Sequence, residues 1–230
     1  MNIILGIISV FITFSLVVLI EKLFKKEGLY VWIGIATVIA NILVCKSIDL
    51  FGLTTNLGNV MFASSFLATD IMCEKYGAKD SRKAIILGIV SQAIFLASTQ
   101  LALAYIPSSE DMTHESMKTL FSINARVSIS SIIMYFVSNM ADIYLFEKIK
   151  QKFPNKLWLR NNVSTIISNC LENYLFSLMA FIGIFDISTI FMIASVASVL
   201  EIVIAILDTP FLYLSKYLDK IDNKKQALEN

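Results

Sequence analysis

Little in this chain can carry covalent or metal chemistry. One histidine, His114, and three cysteines, Cys45, Cys73 and Cys170, are scattered along 230 residues with no CxxC pair among them. A disulfide framework needs an even set of cysteines and a zinc site needs clustered ligands, so neither is expected. The cysteines fall in or beside apolar runs and read as small buried hydrophobes. Three prolines and eight glycines are too few and too dispersed to form a linker. GxGxxG, GxxxxGKS/T and HExxH are all missing, and the lone histidine lies in a polar loop. No enzyme, cofactor, metal or nucleic-acid partner is therefore expected. Charge is scarce as well, at 16% of residues against about 25% in soluble domains. What fills the space is apolar: 57% of the residues are hydrophobic and the mean hydropathy is +0.72. A water-soluble core of this size has no use for so much apolar surface, so the excess faces lipid.

A helix needs about 20 mostly apolar residues to cross roughly 30 Å of hydrocarbon. Seven stretches meet that length, near Ile3–Ile20, Tyr30–Ile48, Leu57–Cys73, Ala84–Ile106, Ile123–Phe146, Val163–Phe185 and Ile187–Tyr213. The first lacks a preceding basic region and a small-residue cleavage site, and reads as a retained helix. A very short turn around Gly183–Ser188 makes the last two an antiparallel hairpin. The loop Pro107–Leu120 is long enough for a short surface helix or a lid. If the N-terminus is outside, the inner segments are Glu21–Leu29, Glu74–Lys83, Glu147–Arg160 and the tail after Tyr213. Those segments hold 16 of the 19 basic residues, leaving Lys46 and Lys118 outside and Arg126 within a span. Lys/Arg excess marks the cytoplasmic side, so the expectation is an all-α polytopic membrane protein with seven spans, N-out and C-in. Backbone groups in lipid must be satisfied within their own segment, which makes the spans helices.

The informative residues are polar ones inside these spans. An ionisable side chain at mid-bilayer costs about 2.5–3.5 kcal/mol, so it faces a cavity or a partner. Asp70 and Glu74 stand four apart on one face of the third span, although exposure at the cytoplasmic end also accounts for Glu74. The fifth span carries a stripe of Asn124, Ser128, Ser131, Tyr135, Ser138, Asn139 and Asp142 at steps of three and four. Close helix packing explains its serines; it explains Asn139 and Asp142 less well. Arg126 points elsewhere and can snorkel to the outer surface. In the sixth span Asn169, Glu172 and Asn173 form a patch halfway through the bilayer, and Glu201 is similarly central in the seventh. Asp208 precedes Thr209-Pro210, where the helix is expected to kink. With Arg126 the one basic group within a span, internal pairing of all these acids is not expected.

The run from Phe62 through Ser64-Ser65-Phe66 to Ala68-Thr69-Asp70, followed by Glu74, Tyr76 and Gly77, resembles the third-span signature of the queuosine precursor transporter family, also called the vitamin uptake transporter family. Phe121–Arg126, Asn139–Asp142, Ser164–Asn169 with Glu172, and Thr209-Pro210 resemble its later spans, so the likeness runs from about Ala40 to Leu218. The resemblance implies a six-helix core, residues 29–218, similar to the substrate-binding subunits of energy-coupling-factor transporters but working without their ATPase module. Residues 1–28 would then be an added N-terminal helix with its basic loop, and 219–230 a cytoplasmic polar tail.

The implied function is import of a 7-deazaguanine across the bacterial inner membrane for tRNA queuosine salvage: the cyano or aminomethyl precursor, or queuine. Such a base presents N1–H and a 2-amino group side by side, which one carboxylate accepts bidentately. Glu172 is the first choice for this, with Asp70 second. Asn124, Asn139 and Asn169 offer donors and acceptors to the rest of the base. Phe62, Phe66 or Tyr135 can stack on it, and Arg126 can balance a site carboxylate. Glu74, Asp142 and Glu201 complete the candidate set. Lipid-facing helices leave room for a homodimer. Two other readings stay open: the vitamin-binding subunit of an energy-coupling-factor transporter, and a structural membrane protein whose polar residues only pack helices.

Overall fold

A computed structural model describes residues 1–50, 53–121 and 125–229. Among them the chain is helical apart from one small hairpin. The order is α1 (Asn2–Leu43), β1 (Ser47–Leu50), β2 (Leu53–Asn56), α2 (Gly58–Lys75), α3 (Ala78–Ala104), α4 (His114–Phe121), α5 (Ala125–Lys152), α6 (Leu157–Phe181) and α7 (Ile187–Glu229).

α1 is two helices joined at a sharp reversal. Lys25 adopts φ 52°, ψ −138° inside it, and a Cβ on Gly28 would lie 2.7 Å from the Ile20 carbonyl oxygen. Eight residues along a straight helix span about 12 Å, so that contact exists only because the chain doubles back. Only glycine permits the approach. α2 stops at another glycine: Gly77 takes φ 89°, ψ 162°, a region essentially reserved for glycine, and its N–H bonds back to the Met72 carbonyl.

Side-chain contacts sort the rest of the chain to two ends of the bundle. Glu21, Tyr30, Lys75, Asp80, Arg160 and Lys216 meet at one, here the basic end. At the other, Asn2 donates to the Asp49 carbonyl and Gln100 to the Phe121 carbonyl. Helices approach closely through small residues, as membrane helices do: Ala63, Ser64, Ser65 and Ala68 of α2 are all buried, and Trp32 Nε1 donates to Ser64 Oγ at 3.1 Å. The N-terminal half of α1 packs through Phe14, fully buried and edge-on to Phe211 of α7 at 5.5 Å.

Large aliphatics line the outside instead: Ile4, Ile8 and Ile12 on α1, Ile94 and Leu101 on α3, Val199 and Val203 on α7 are all exposed. That inverted pattern fits a molecule solvated by hydrocarbon. Among the described residues four helices are long and apolar enough to cross a membrane: α1, α3, and the stretches Ile129–Lys152 and Ile187–Ile221. α2 and α6 fall short because polar residues interrupt their apolar runs.

The structure departs from the sequence reading in three places. The apolar run expected to reach Ile48 ends as a helix at Leu43, and Ser47–Leu50 pairs antiparallel with Leu53–Asn56, Ser47 opposite Asn56 and Leu50 opposite Leu53. Asp49 interrupts the run, and Ile48 and Leu50 then alternate with polar neighbours as a strand does. The last span, expected to end near Tyr213, continues as helix to Glu229 with Pro210 inside it. Arg160, expected in a basic loop, is 1% exposed in the first turn of α6. The surface helix expected in Pro107–Leu120 is α4, which buries none of its residues.

Candidate functional site

A cavity of about 720 Å³ lies between α1, α2, α3, α5, α6 and α7. It begins at Val44, Gly58 and Phe181, where α1, α2 and α6 end or start, and descends to Glu172, Glu201, Tyr135 and Gln92. That is the size of a small-molecule pocket, typically about 300–1,000 Å³. Its upper wall is apolar, with Phe176, Met192, Ile193 and Val196.

Polar groups gather lower down. Ser138 Oγ of α5 donates to Glu172 Oε2 at 2.7 Å, and Asn173 Nδ2 of α6 donates to Glu201 Oε2 of α7 at 2.7 Å. The two carboxyl groups are near enough to feel each other's charge. Phe62 forms an aromatic wall with Tyr135, ring centres 5.8 Å apart and edge-to-face. Tyr135 fits because α3 has glycine beside it: a Cβ on Gly88 would stand 3.0 Å from the Tyr135 hydroxyl. That hydroxyl lies beside Ser65, whereas Gln92 Oε1 has no hydrogen-bond partner among the described residues. Both groups are buried and line the cavity. Buried polar atoms are almost always paired, so Gln92 Oε1 is open to a ligand.

Of the residues expected from sequence, the structure brings Phe62, Tyr135, Glu172 and Glu201 to this cavity. Phe66 stands behind Phe62, ring centres 5.4 Å apart, and is 1% exposed. Asn139 is fully buried and turns its amide to the Tyr135 carbonyl at 2.8 Å. Asn169 is buried outside the lining, with its side-chain oxygen unpaired. Asn124 lies outside the described residues, as does the side chain of Arg126.

Asp70 and Asp142 meet elsewhere, together with Asp208. Thr165 Oγ1 lies 3.3 Å from a carboxyl oxygen of each of the first two, and Asn161 Nδ2 donates to Asp208 Oδ1 at 2.6 Å. Pro210 leaves the preceding turn of α7 short of a donor, and Thr209 Oγ1 there accepts from Asn162 at 2.7 Å.

Glu74 is not at the cavity either. It is the centre of an ion cluster at the basic end, with Arg160 Nη2 and Lys216 Nζ each at 2.6 Å and Lys150 Nζ at 3.1 Å. Arg160 also donates to the Pro154 carbonyl at 2.8 Å and lies over the Phe146 ring. Burial would raise the Glu74 carboxyl, but Lys216, Lys150 and Arg160 together hold it below the usual carboxylate range. The next residue, Lys75, reaches the buried Glu21 at 2.8 Å and Asp219 at 2.7 Å, and Tyr76 donates to Glu21 at 2.9 Å.

Sequence reasoning passed over Gln92, Thr37 and Asn41 of the lining, and left Asn173 out of the site. Gln92 had a visible signal: it is an amide in the middle of the apolar run of α3. The sequence reading weighed polar residues in the third, fifth, sixth and seventh spans and passed over the fourth, where Gln92 stands.

The family described as "Putative vitamin uptake transporter" matches residues 56–215. A Bacillus subtilis (strain 168) protein named "Probable queuosine precursor transporter" is 36% identical over 215 residues, 93% of this chain and 94% of the relative. The "Queuosine precursor transporter" of Escherichia coli (strain K12) is 27% identical over 142 residues, 62% of each. No solved structure matches. A family match over well over half the chain, and a relative aligned almost end to end, make this chain a member of the vitamin uptake transporter, or queuosine precursor transporter, family.

Proposed function

We propose that the protein carries a 7-deazaguanine, a precursor of queuosine or queuine, across the bacterial inner membrane. The observation that carries this reading is the cavity itself: an aromatic wall, Phe62 set edge-to-face to Tyr135, beside a carboxyl group, Glu172, in a transporter family whose named relatives move queuosine precursors. A deazaguanine stacked on that wall turns N1–H and its 2-amino group to Glu172, and two N–H donors converge on one carboxylate. Ser138 holds the carboxylate from behind. Gln92, Asn173 and Asn41 surround the remaining edges of the base.

The chain crosses the bilayer seven times in this reading, the two halves of α1 each counting once, with the N-terminus outside and the basic end in the cytoplasm. Supporting it are the inverted exterior and the collection of lysines and arginines at one end. The core after Lys25 is then a six-helix unit similar in design to energy-coupling-factor binding subunits, with the first helix added against α7.

The test is thermal stabilisation of the purified protein by queuine, the cyano and aminomethyl precursors, guanine, biotin and riboflavin. At a hundredfold over its dissociation constant a bound ligand adds about 2.7 kcal/mol. A shift confined to the deazaguanines supports the reading, and a shift with a vitamin alone replaces it. Glu172→Gln keeps the shape but turns an acceptor into a donor toward the base, and uptake into cells is expected to fall to background. Uptake at the unmodified level would remove Glu172 from the site.

A further inference from the structure

One carboxylate suffices to read the donor edge of a deazaguanine, yet the cavity holds two. Glu172 comes from α6 and Glu201 from α7, and each has one neutral partner, Ser138 and Asn173. Among the described residues no lysine, arginine or histidine lines the cavity. The cations of the lower half are engaged elsewhere: Arg160, Lys150 and Lys216 on Glu74, and Lys75 on Glu21 and Asp219. A second observation points the same way. Gln92, 6% exposed and reaching the cavity from α3, has its side-chain oxygen unpaired. Among the described residues the site therefore offers acceptors in excess and no positive charge.

We propose that Glu201 is the specificity residue for an amine: the cargo is a 7-deazaguanine bearing a basic aminomethyl group, whose ammonium docks on Glu201 while Glu172 holds the base. This rests on the cargo class proposed above. An ammonium brings three donors and no acceptor, the complement of what the cavity presents. Its charge supplies the partner that a carboxylate needs in a largely apolar cavity, and the pair forms out of water, where charge-assisted hydrogen bonds are strongest. A nitrile at the same position is neutral and ends in an acceptor, so it meets the Glu201 oxygens as a like dipole and leaves them unpaired. Sites built around a polar contact reject the analogue lacking it far more strongly than apolar pockets reject a missing methylene. Asn173 positions Glu201 by fixing one of its oxygens.

Dissociation constants of the full-length protein in detergent decide the matter, measured by calorimetric titration with aminomethyl-, N-acetylaminomethyl- and cyano-7-deazaguanine. The aminomethyl base is expected to bind about a hundredfold tighter than the other two, the order expected for a lost polar contact. Glu201→Gln is expected to bring the three within about threefold, weakening the amine and tightening the cyano base, whose nitrile then meets an amide donor in place of a carboxylate. Asn173→Ser, a milder change, should shrink the ratio in the same direction and serves if Glu201→Gln does not fold. Equal affinities in the unmodified protein, or a ratio that survives both substitutions, overturn the role of Glu201 and leave the cargo class standing. If none of the three binds, the cargo class falls, and this inference falls with it.

Discussion

Arg160 and Glu74 show how much a single pair can carry when both members are out of water. Arg160 is 1% exposed and its guanidinium has two described partners, the Glu74 carboxylate and the Pro154 carbonyl. Glu74→Ala removes the one charge that faces it, and leaving a buried charge unpaired costs about 3–5 kcal/mol. A loss of that size should appear as a lower melting temperature in detergent, and Glu74→Asp should recover part of it. Cargo affinity should survive both changes, since Glu74 is outside the cavity; a lost affinity with an unchanged melting temperature would return it to the binding site. At this scale the sequence was legible only in part. That polar residues inside apolar runs are special was readable, and Phe62, Tyr135, Glu172 and Glu201 do meet in one cavity. Which of them meet was not readable, because Asp70, Asp142 and Asp208 come from three helices and only the packing joins them. Arg160 was hidden by its sequence neighbours, a run of lysines that places it in a solvated loop by composition.

Among the elements, α1 depends most on one small residue. Its reversal brings Gly28 against the Ile20 carbonyl at a distance no Cβ tolerates. Gly28→Ala must push the two halves of α1 apart, and strain from overpacking is worth about 1–3 kcal/mol. The measurable result is a lower melting temperature, with a loss of the contact between Phe14 and Phe211 that shows as faster proteolysis of the N-terminal helix. A variant as stable as the parent would mean that the reversal opens without cost. Helix existence was legible throughout, since runs of about 20 apolar residues leave lipid no alternative. Helix limits were not. The β1–β2 hairpin is too short to announce itself beside longer apolar runs, and α6 begins at Leu157 within what reads as basic loop.

For the molecule as a whole, the position of the cavity sets a direction. It runs to the ends of α1, α2 and α6 away from the ion cluster, so the state described is open toward the end opposite the basic one. In cells expressing Ser131→Cys in a background with Cys45, Cys73 and Cys170 replaced, a membrane-impermeant maleimide applied from outside should label the new thiol. Applied to inside-out vesicles it should not, and bound deazaguanine should protect the site from outside. Labelling from the inside alone would reverse the orientation proposed here. The two-ended character of the bundle was foreshadowed by the segregation of 16 of 19 basic residues. The cavity was not, because its walls are assembled from six helices and its mouth from the ends of three of them.

Glu74 and Lys75, adjacent at the close of α2, face opposite ways in charge and together reach α1, α5, α6 and α7. Two consecutive side chains thus make a clasp for almost the entire bundle at that end. A helix cannot be drawn away from the clasp alone without stranding a charge that its neighbours also use. Opening at that end must therefore part contacts to several helices together, because the same two side chains serve them all.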